Sequence, residues 1–452
     1  MKNSHDKDNV RSISVPTRRI ERLGKLGSLT AGVASSVAIN GVKQFGQGKR
    51  PSFRNLLLTP SNTKRVSDQL AQMRGAVMKI GQLMSMDAGE ILPPELSQIL
   101  VCLRDNAHPM PPAQLKKVLN AEWPAQWLRS FDKFDVRPIA AASIGQVHRG
   151  QLKDGRDLAI KVQYPGIAKS IDSDVANVGV LMRMSGLLPK GFELDPYLEE
   201  GRKQLHEETN YNREANQLMR FGDLLADMTQ FVVPEIHSDW STPNILAMTY
   251  VAGVPIESVA EETQEIRDQI AKDLIDLTIH ELFSFGVMQT DPNFANYLYQ
   301  PDNQRIALLD FGATHKISPP IVQFYHQLML AGFSGDDLAL EETIKGIGFI
   351  DENTKDSQRK QIVHMVQLVF EILQKNRYLD FADTKLATHL QDSAIALAKD
   401  GFLPKPLPID VLLLQRKFGG MFLLAVKLGA RVDVVSLLAD HLKTTTLHNE
   451  TN

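Results

Sequence analysis

Two aspartates and an asparagine in the second half of the chain have the residue types and spacing of a phosphoryl-transfer site. Asp291 and Asn296 lie five positions apart, and Asp310 follows Asp291 by nineteen positions, in the sequence Asp-Phe-Gly. The apolar run at 306–309 predicts a strand between them. Where this spacing supports phosphoryl transfer, the first aspartate orients the attacking hydroxyl, and the asparagine and second aspartate hold Mg²⁺. We predict these roles for Asp291, Asn296 and Asp310.

A lysine and a glutamate earlier in the chain have the types needed to bind nucleotide phosphates. Residues 157–162 predict a strand, and the alternation of such a strand places Lys161 on the face opposite its two apolar neighbours. A strand lysine of this kind contacts the α- and β-phosphates of ATP in kinase-like enzymes. Glu214 lies on a helix predicted from residue 196 onward, which would also carry Glu208. We predict that Glu214 holds Lys161 in place.

The order of these features along the chain is the order in a two-lobed kinase. A small-residue loop at 140–143 comes first, followed by Lys161, the helix glutamate, a hinge after the strand predicted at 244–251, and the metal-binding residues. Each feature alone has an ordinary explanation, such as a solvated lysine or a helix cap, but their conjunction favours catalysis. We predict an α+β, bilobal protein-kinase-like fold with a mostly helical C-lobe. The backbone of Met248 and Val251 would contact adenine.

The predicted organisation has four parts. Residues 1–60 form a basic and apolar N-terminal segment, and residues 61–130 form a helical extension. Residues 131–251 form the N-lobe and residues 252–452 the C-lobe. Within the N-lobe, residues 165–200 show no single periodicity.

Composition limits the compartment and the partners. The chain has 452 residues and a net charge of −3, so it lacks the basic footprint of a nucleic-acid-binding protein. Cys102 is the only cysteine, which excludes a disulfide framework and a thiolate metal site and indicates a reducing compartment. The polar start does not have the form of a secretory signal, and Asp6 and Asp8 do not suit a transit peptide. We expect a cytoplasmic protein, peripheral on the inner face of a bacterial membrane.

Several motifs resemble the UbiB/ADCK family of atypical kinase-like proteins, over most of the chain. They are Lys79-Ile-Gly-Gln82, Ala140-Ala-Ala-Ser143 with Gly145-Gln146, Lys161, Glu208-Thr-Asn210, Glu214, Asp291 with Asn296, and Asp310-Phe-Gly312. The resemblance implies ATP and Mg²⁺ as cofactors and ATP hydrolysis that supports ubiquinone (coenzyme Q) biosynthesis at the membrane. It makes conventional protein kinase activity doubtful. Asn210 stands where the family has aspartate, and Gln289 stands where many members have histidine.

Two other functions are consistent with the same resemblance. One is a phosphotransferase that acts on a small molecule or lipid, such as a phenolic quinone precursor. The other is a nucleotide-gated scaffold that organises quinone-biosynthesis enzymes. The implied partners are ATP, an anionic lipid surface, quinone precursors or those enzymes, and a second copy of the chain in a homodimer.

The alanine-rich loop differs physically from the glycine-rich loop of ordinary kinases. Glycines let backbone amides close over the phosphates. Ala140, Ala141, Ala142 and Ser143 carry Cβ atoms and cannot adopt positive φ without strain. We predict that these four residues line the nucleotide site in a different conformation and disfavour transfer to a protein side chain.

Lys79 lies on an apolar helical pattern and needs a partner if it is buried. The resemblance implies that it pairs with Glu208, and we predict that Asn210 adds a neutral hydrogen bond and that Lys79, Gln82 and Glu208 form a gate. This gate would bring the helix at 61–87 across the front of the nucleotide site. The alternative is that the aliphatic stem of Lys79 carries its ammonium to solvent.

An uncharged segment at residues 26–42 is flanked by basic residues. It is too short and too rich in small polar residues for a good transmembrane span, so an interfacial helix is favoured. An ordinary helix packed on the protein is the alternative. The flanking cations are Arg18, Arg19, Arg22, Lys25, Lys43, Lys49 and Arg50.

We expect the protein to bind vesicles that contain anionic lipid and to be released as salt increases. Each cation near the surface contributes about 1 kcal/mol, and salt screens this attraction. Cosedimentation measures the bound fraction, and the triple substitution Arg18→Ser, Arg19→Ser and Arg22→Ser should lower it. Equal binding to neutral and anionic vesicles at every salt concentration would favour the packed helix.

Overall fold

The computed structural model describes residues 73–88, 109–142, 144–185, 193–383, 385–402 and 407–449. The uncharged segment at 26–42 and residues 61–72 of the helix predicted at 61–87 lie outside these ranges. No helix within them combines the length and the apolar character needed to cross a membrane.

Helices make up most of the described chain. They are α1 (Arg74–Ala88), α2 (Pro112–Glu122), α3 (Ile167–Ser185), α4 (Asp195–Glu208), α5 (Tyr211–Leu224), α6 (Gln264–His280), α7 (Pro319–Ser334), α8 (Asp337–Ile347), α9 (Asp356–Lys375), α10 (Lys385–Lys399), α11 (Ile409–Leu428) and α12 (Val434–Asn449).

The strands are short and fall into four sheets or ribbons. They are β1 (Phe131–Phe134), β2 (Ala140–Ala141), β3 (Gly145–Leu152), β4 (Asp157–Gln163), β5 (Phe231–Val232), β6 (Ile245–Thr249), β7 (Val254–Pro255), β8 (Val287–Gln289), β9 (Tyr297–Gln300), β10 (Arg305–Leu308), β11 (Thr314–Lys316), β12 (Leu379–Asp380) and β13 (Arg431–Val432).

The chain divides into two compact units. The first extends through Met219 and includes Glu235–Val251, and the second comprises Arg220–Pro234 and the chain from Ala252 onward. In the first unit, strands β1, β3, β4 and β6 form an antiparallel sheet in that order, with β2 paired to β3.

An aromatic cluster covers one face of this sheet. Trp123 packs edge-on against Trp127 and Trp240, with ring centroids 5.0 and 5.1 Å apart. Ile160 and Val162 of β4 belong to the same core and are fully buried. Because side chains alternate along a strand, Lys161 lies on the other face, as the sequence predicts.

The helix predicted from residue 196 onward is interrupted, which corrects one expectation. Helix α4 ends at Glu208 and α5 begins at Tyr211, so Glu208 and Glu214 lie on different helices. The side chain of Asn210 accepts a hydrogen bond from the backbone N–H of Arg213 at 3.1 Å. This is the capping interaction that asparagine favours at a helix N-terminus, and it starts a new helix here.

In the second unit, two pairs of strands hold the two aspartate segments beside each other. Strand β8 pairs with β11, with Gln289 opposite Thr314, and β9 pairs with β10, with Tyr297 opposite Leu308. Strands β5 and β7 extend the second sheet, with β5 parallel to β10. The loop that carries Asp291 and Asn296 therefore runs from β8 to β9, and the Asp-Phe-Gly turn runs from β10 to β11.

Helices α7, α8, α9 and α11 enclose an apolar core of the second unit. Helix α11 also contacts α6, and hydrogen bonds join the ends of these two helices. The Arg267 guanidinium donates to the carbonyl oxygen of Leu428 at 2.9 Å, and the Gln264 amide donates to that of Gly429 at 3.0 Å. After His280, α6 continues into a single π-helical turn, Glu281–Phe285.

Candidate active site

Lys161 and Glu214 form a buried ion pair in the first unit. The Lys161 ammonium donates to both carboxylate oxygens of Glu214, at 2.8 and 3.1 Å. The two residues are 7% and 2% exposed. Strand β4 presents the lysine and the first turn of α5 presents the glutamate. The predicted pairing is present, and it fixes the ammonium in a low-dielectric setting where its charge acts strongly.

Close packing around Gly145 supports this pair. A Cβ atom at Gly145 would lie 2.4 Å from the carbonyl oxygen of Val162 and 3.0 Å from the hydroxyl oxygen of Tyr211. The ring centre of Tyr211 lies 5.5 Å from the Lys161 ammonium, within the range of a cation–π interaction. Glycine at position 145 therefore lets the backbone of β4 and the Tyr211 hydroxyl approach β3 closely.

The alanine-rich loop forms a tight hairpin. Ala140 and Ala141 pair with β3, and the backbone N–H of Ala142 donates to the carbonyl oxygen of Gly145 at 2.8 Å. None of the three alanines has positive φ, which agrees with the steric prediction. Because the Ala142 amide is used within the hairpin, it cannot also bind a phosphate. Ser143 lies outside the described residues.

The backbone of Met248 is committed to the sheet, which corrects its predicted contact with adenine. Met248 lies opposite Ala159 of β4 in an antiparallel pair. The Thr249 N–H donates to the carbonyl oxygen of Glu235, on the side of the strand away from β4. The Tyr250 N–H donates to the carbonyl oxygen of Asp157 in β4. Backbone groups alternate sides along such a strand, so those of Met248 point to β4. Val251 lies beyond the end of β6 and is half-buried.

In the second unit, the three predicted catalytic and metal residues lie on adjoining loops. The Asn296 side-chain amide donates to the backbone oxygen and the carboxylate of Asp291, at 3.2 and 3.3 Å. The Leu309 N–H donates to the carbonyl oxygen of Asn296 at 3.0 Å. Asp310 accepts the N–H of Gly312 at 2.9 Å, which orients its carboxylate.

Asn296 and Asp310 line the same small cavity. Mg²⁺ prefers oxygen ligands and binds to proteins through one or two carboxylates plus phosphate oxygens and water. One carboxylate and one amide oxygen at a shared cavity fit that preference. The residues present are therefore suitable for a magnesium ion that accompanies a nucleotide.

Helix α11 contributes to this region two cationic side chains that no sequence motif identifies. Arg416 forms an ion pair with the Asp291 carboxylate. The adjacent Lys417 forms an ion pair with Glu281, with 3.2 Å between Nζ and Oε2 and each side chain 1% exposed. The sequence does contain one indication of these partners. Arg416 and Lys417 lie between Leu412-Leu-Leu414 and Phe418, and two charges among apolar residues need partners.

Gln289 connects the buried ion pair to the Asp291 loop. Its backbone N–H donates to the Glu281 carboxylate at 3.0 Å, and its side-chain amide donates to the backbone oxygen of Asp291 at 2.8 Å. Lys417 in turn donates to the Gln289 side-chain oxygen at 3.4 Å and to the Tyr297 hydroxyl at 3.2 Å. Burial raises the pKa of Glu281 above its ordinary value. Gln289 therefore links Glu281 to the Asp291 loop, at the position where many members of the UbiB/ADCK family have histidine.

Lys79 of α1 forms the predicted ion pair with Glu208 at the end of α4. Both side chains are largely buried, at 7% and 15% exposure. A Cβ atom at Gly201 of α4 would lie 3.0 Å from Ile80 Cγ1, so the two helices approach closely beside the pair. Asn210 caps α5 instead of adding the expected hydrogen bond to Lys79. The Gln82 side chain lies outside the described part of the structure.

Comparisons with known proteins give a consistent result. Residues 102–344 match the ABC1 atypical kinase-like domain. The chain is 36% identical to the mitochondrial atypical kinase COQ8 of Saccharomyces cerevisiae, over 96% of this chain and 87% of that protein. It is 33% identical to the mitochondrial atypical kinase COQ8B of Rattus norvegicus, over 96% and 82% of the respective chains.

A solved structure shares the fold. The complex of Rv3197 with erythromycin from Mycobacterium tuberculosis matches with a TM-score of 0.58 and 24% identity, covering 83% of this chain and 95% of the other. The predicted α+β kinase-like fold is confirmed.

The Lys79–Glu208 pair gives a first prediction for this region. Lys79→Ala should lower the free energy of unfolding by about 3–5 kcal/mol, because Glu208 loses its partner while partly buried. Glu208→Ala should act similarly, and the double variant should fall short of the sum by about 1–3 kcal/mol. Urea denaturation measures all three, with Lys203→Ala on the exposed side of α4 as the control. Strictly additive losses would mean that the two residues do not interact.

The Lys417–Glu281 pair gives a second prediction for this region. Lys417→Met leaves a buried carboxylate unpaired and should cost about 3–5 kcal/mol near neutral pH. Burial raises the folded-state pKa of Glu281 above its unfolded value, and the charge of Lys417 limits that rise. Without Lys417 the pKa of Glu281 rises further, so the variant loses more stability than the unsubstituted protein as pH rises. The cost should therefore be smaller at about pH 5 than at about pH 8. Lys427→Met, at an exposed position of the same helix, is the control, and an equal loss at both pH values would contradict this account.

Proposed function

Because the chain belongs to the ABC1 family of atypical kinase-like proteins, we propose that it binds ATP with Mg²⁺ and hydrolyses it in support of ubiquinone biosynthesis. The observation that carries this proposal is the buried Lys161–Glu214 ion pair on the strand and helix where a kinase-like fold places them. Glu214 holds the Lys161 ammonium in place, as a phosphate-binding lysine requires.

Each proposed residue has a distinct role. Lys161 contacts the α- and β-phosphates, and Glu214 keeps its ammonium oriented. Asn296 and Asp310 hold Mg²⁺, which neutralises charge on the phosphate oxygens when it is bound. Asp291 orients the nucleophile, which is water or the hydroxyl of a small molecule. Val251, beyond the paired part of β6, is the remaining candidate for a backbone contact with adenine.

Arg416 gives Asp291 a fixed orientation. The guanidinium pairs with one oxygen of the Asp291 carboxylate, and the Asn296 amide donates to the other. A carboxylate held from two sides has little freedom to rotate, which favours a single geometry for the nucleophile. This arrangement supports positional catalysis by Asp291.

The alanine-rich hairpin supports hydrolysis over transfer to protein. The amide of Ala142 is bonded to Gly145, so the loop offers fewer donors to the phosphates than a glycine-rich loop does. The proposed Lys79–Glu208 gate adds a second restriction, since it would keep a large acceptor from the phosphates. Water and small hydroxyl compounds remain as acceptors.

The biosynthetic role rests on the named relatives. The similar COQ8 proteins are named for the coenzyme Q pathway, and the uncharged basic-flanked segment at 26–42 suits a membrane surface. We therefore place the protein peripherally on an anionic membrane, where quinone precursors and their enzymes are its proposed partners. A homodimer is part of the same proposal.

Asp310→Asn tests the metal-binding role. Asparagine keeps an oxygen that can accept the Gly312 N–H, so the turn should persist while one ligand charge is lost. We expect Mg²⁺-dependent ATP turnover to fall at least about 100-fold, since a bound metal contributes several kcal/mol to the transition state. Asp302→Asn, at an exposed turn position, is the matched control. Unchanged Mg²⁺-dependent turnover in Asp310→Asn would refute the kinase-like site.

One assay separates the three functions. Purified protein is incubated with ATP, Mg²⁺ and anionic vesicles, with and without phenolic quinone precursors, and phosphate and ADP are measured. Phosphate release without any acceptor supports the ATPase. ADP that appears only with the phenol points to a phosphotransferase, and binding without turnover points to a nucleotide-gated scaffold.

A further inference from the structure

Two histidines and an aspartate meet where α12 packs on α6. Asp276 and His280 are four residues apart on α6, and His441 reaches them from α12. The three side chains are partly buried, with exposures of 23%, 29% and 11%. None of these residues belongs to the phosphoryl-transfer machinery, and no motif in the sequence identifies the group.

The spacing of the donor atoms suits one small metal ion. The Asp276 carboxylate oxygen lies 3.4 Å from His280 Nδ1 and 3.9 Å from His441 Nε2. One donor atom from each residue lies within 4.8 Å of the other two. Tetrahedral ligands about 2.0–2.1 Å from zinc are about 3.4 Å apart. To bind an ion, the His280 ring would have to leave the backbone oxygen of Asp276, to which its Nδ1 donates at 3.0 Å. Rotation of that ring would then bring all three donors toward one ion.

The surroundings of the histidines resemble the outer layer of a metal site. His441 Nδ1 lies 3.4 Å from the Ser284 hydroxyl oxygen, and the other ring nitrogen of His441, Nε2, faces Asp276. A ligating histidine commonly donates its second ring N–H to such a partner. Phe283 and Phe285 lie beside the two imidazoles, and an apolar wall of this kind limits the access of water.

We propose that Asp276, His280 and His441 bind one zinc-like divalent transition-metal ion, with water in the fourth position. Two imidazoles and one carboxylate form a donor set that suits zinc and other first-row transition metals, whereas Mg²⁺ and Ca²⁺ select all-oxygen sites. The ion would join α12 to α6 immediately before Glu281, the residue that anchors Gln289. The site is thus structural and separate from the magnesium that accompanies ATP.

A metal-free network is the competing account of the same geometry. Burial raises the pKa of Asp276, but hydrogen bonds from His280 and His441 outweigh it, and the net pKa lies below the usual range. The hydrogen bond with Asp276 raises the pKa of His280. Protons and a metal ion would therefore compete for the imidazoles.

Zinc binding to the untagged full-length protein tests the proposal. The protein is dialysed against buffered micromolar Zn²⁺ at about pH 7.5, and bound metal is measured by mass spectrometry and by competition with a chromophoric chelator. We expect about one ion per chain. His441→Ala and Asp276→Asn should each weaken binding at least about 100-fold, because loss of a direct ligand should exceed the 10–100-fold effect of an outer partner. His389→Ala, at an exposed position of α10, should bind as the unsubstituted protein does.

Co²⁺ provides an independent readout of the site. Bound Co²⁺ should give the visible absorption of a four- or five-coordinate nitrogen and oxygen site, and both ligand variants should lose it while His389→Ala keeps it. Circular dichroism without metal should show that Asp276→Asn retains the helices of the unsubstituted protein. Equal zinc binding by the ligand variants and the control, or no binding by the unsubstituted protein, would leave only the metal-free network and overturn the proposal.

Discussion

The loop of the second unit that carries Asp291 depends on one fully buried ion pair, Lys417 with Glu281. Taking two charges out of water costs several kcal/mol each, and their attraction offsets this cost only with good geometry and additional hydrogen bonds. The additional bonds are present, since Glu281 accepts the Gln289 amide and Lys417 donates to Gln289 and Tyr297. Each of these contacts leads toward the loop that carries Asp291. The pair therefore contributes more to the position of the loop than to net stability.

The first unit contains a lysine–glutamate pair of the same physical type. Lys161 and Glu214 are also buried, but there the function proposed above gives the ammonium a ligand to bind, whereas Lys417 binds side chains beside the protein's own loop. The two pairs illustrate two uses of a buried charge. Under the proposed function, one keeps a cation ready for phosphate, and the other holds the backbone of the loop from which Asp291 extends.

Local patterns in the sequence predicted much of the fold and the site. Strand alternation placed Lys161 correctly, whereas Glu208 was identified as the partner of Lys79 by the family resemblance and not by a local pattern. The interruption between α4 and α5 was missed because Asn210 could be read as a helical residue until its capping bond to Arg213 was seen. Helix α3 was missed because Ser170 and Asp174 occupy buried positions and break the apolar period. Arg416 lies 125 positions from Asp291, and no local pattern can indicate such a contact.

Helices α6 and α11 are fastened to each other at two levels. Arg267 and Gln264 bind the C-terminal carbonyls of α11 at one end, and Glu281 binds Lys417 at the other. The two levels are about 20 Å apart along α6, at 1.5 Å per residue. Sliding by one helical turn would break both sets of contacts at once, so intermediate positions are unfavourable. The Asp291 loop thus takes its position from the register of two long helices, and a local change in the loop itself leaves that register intact.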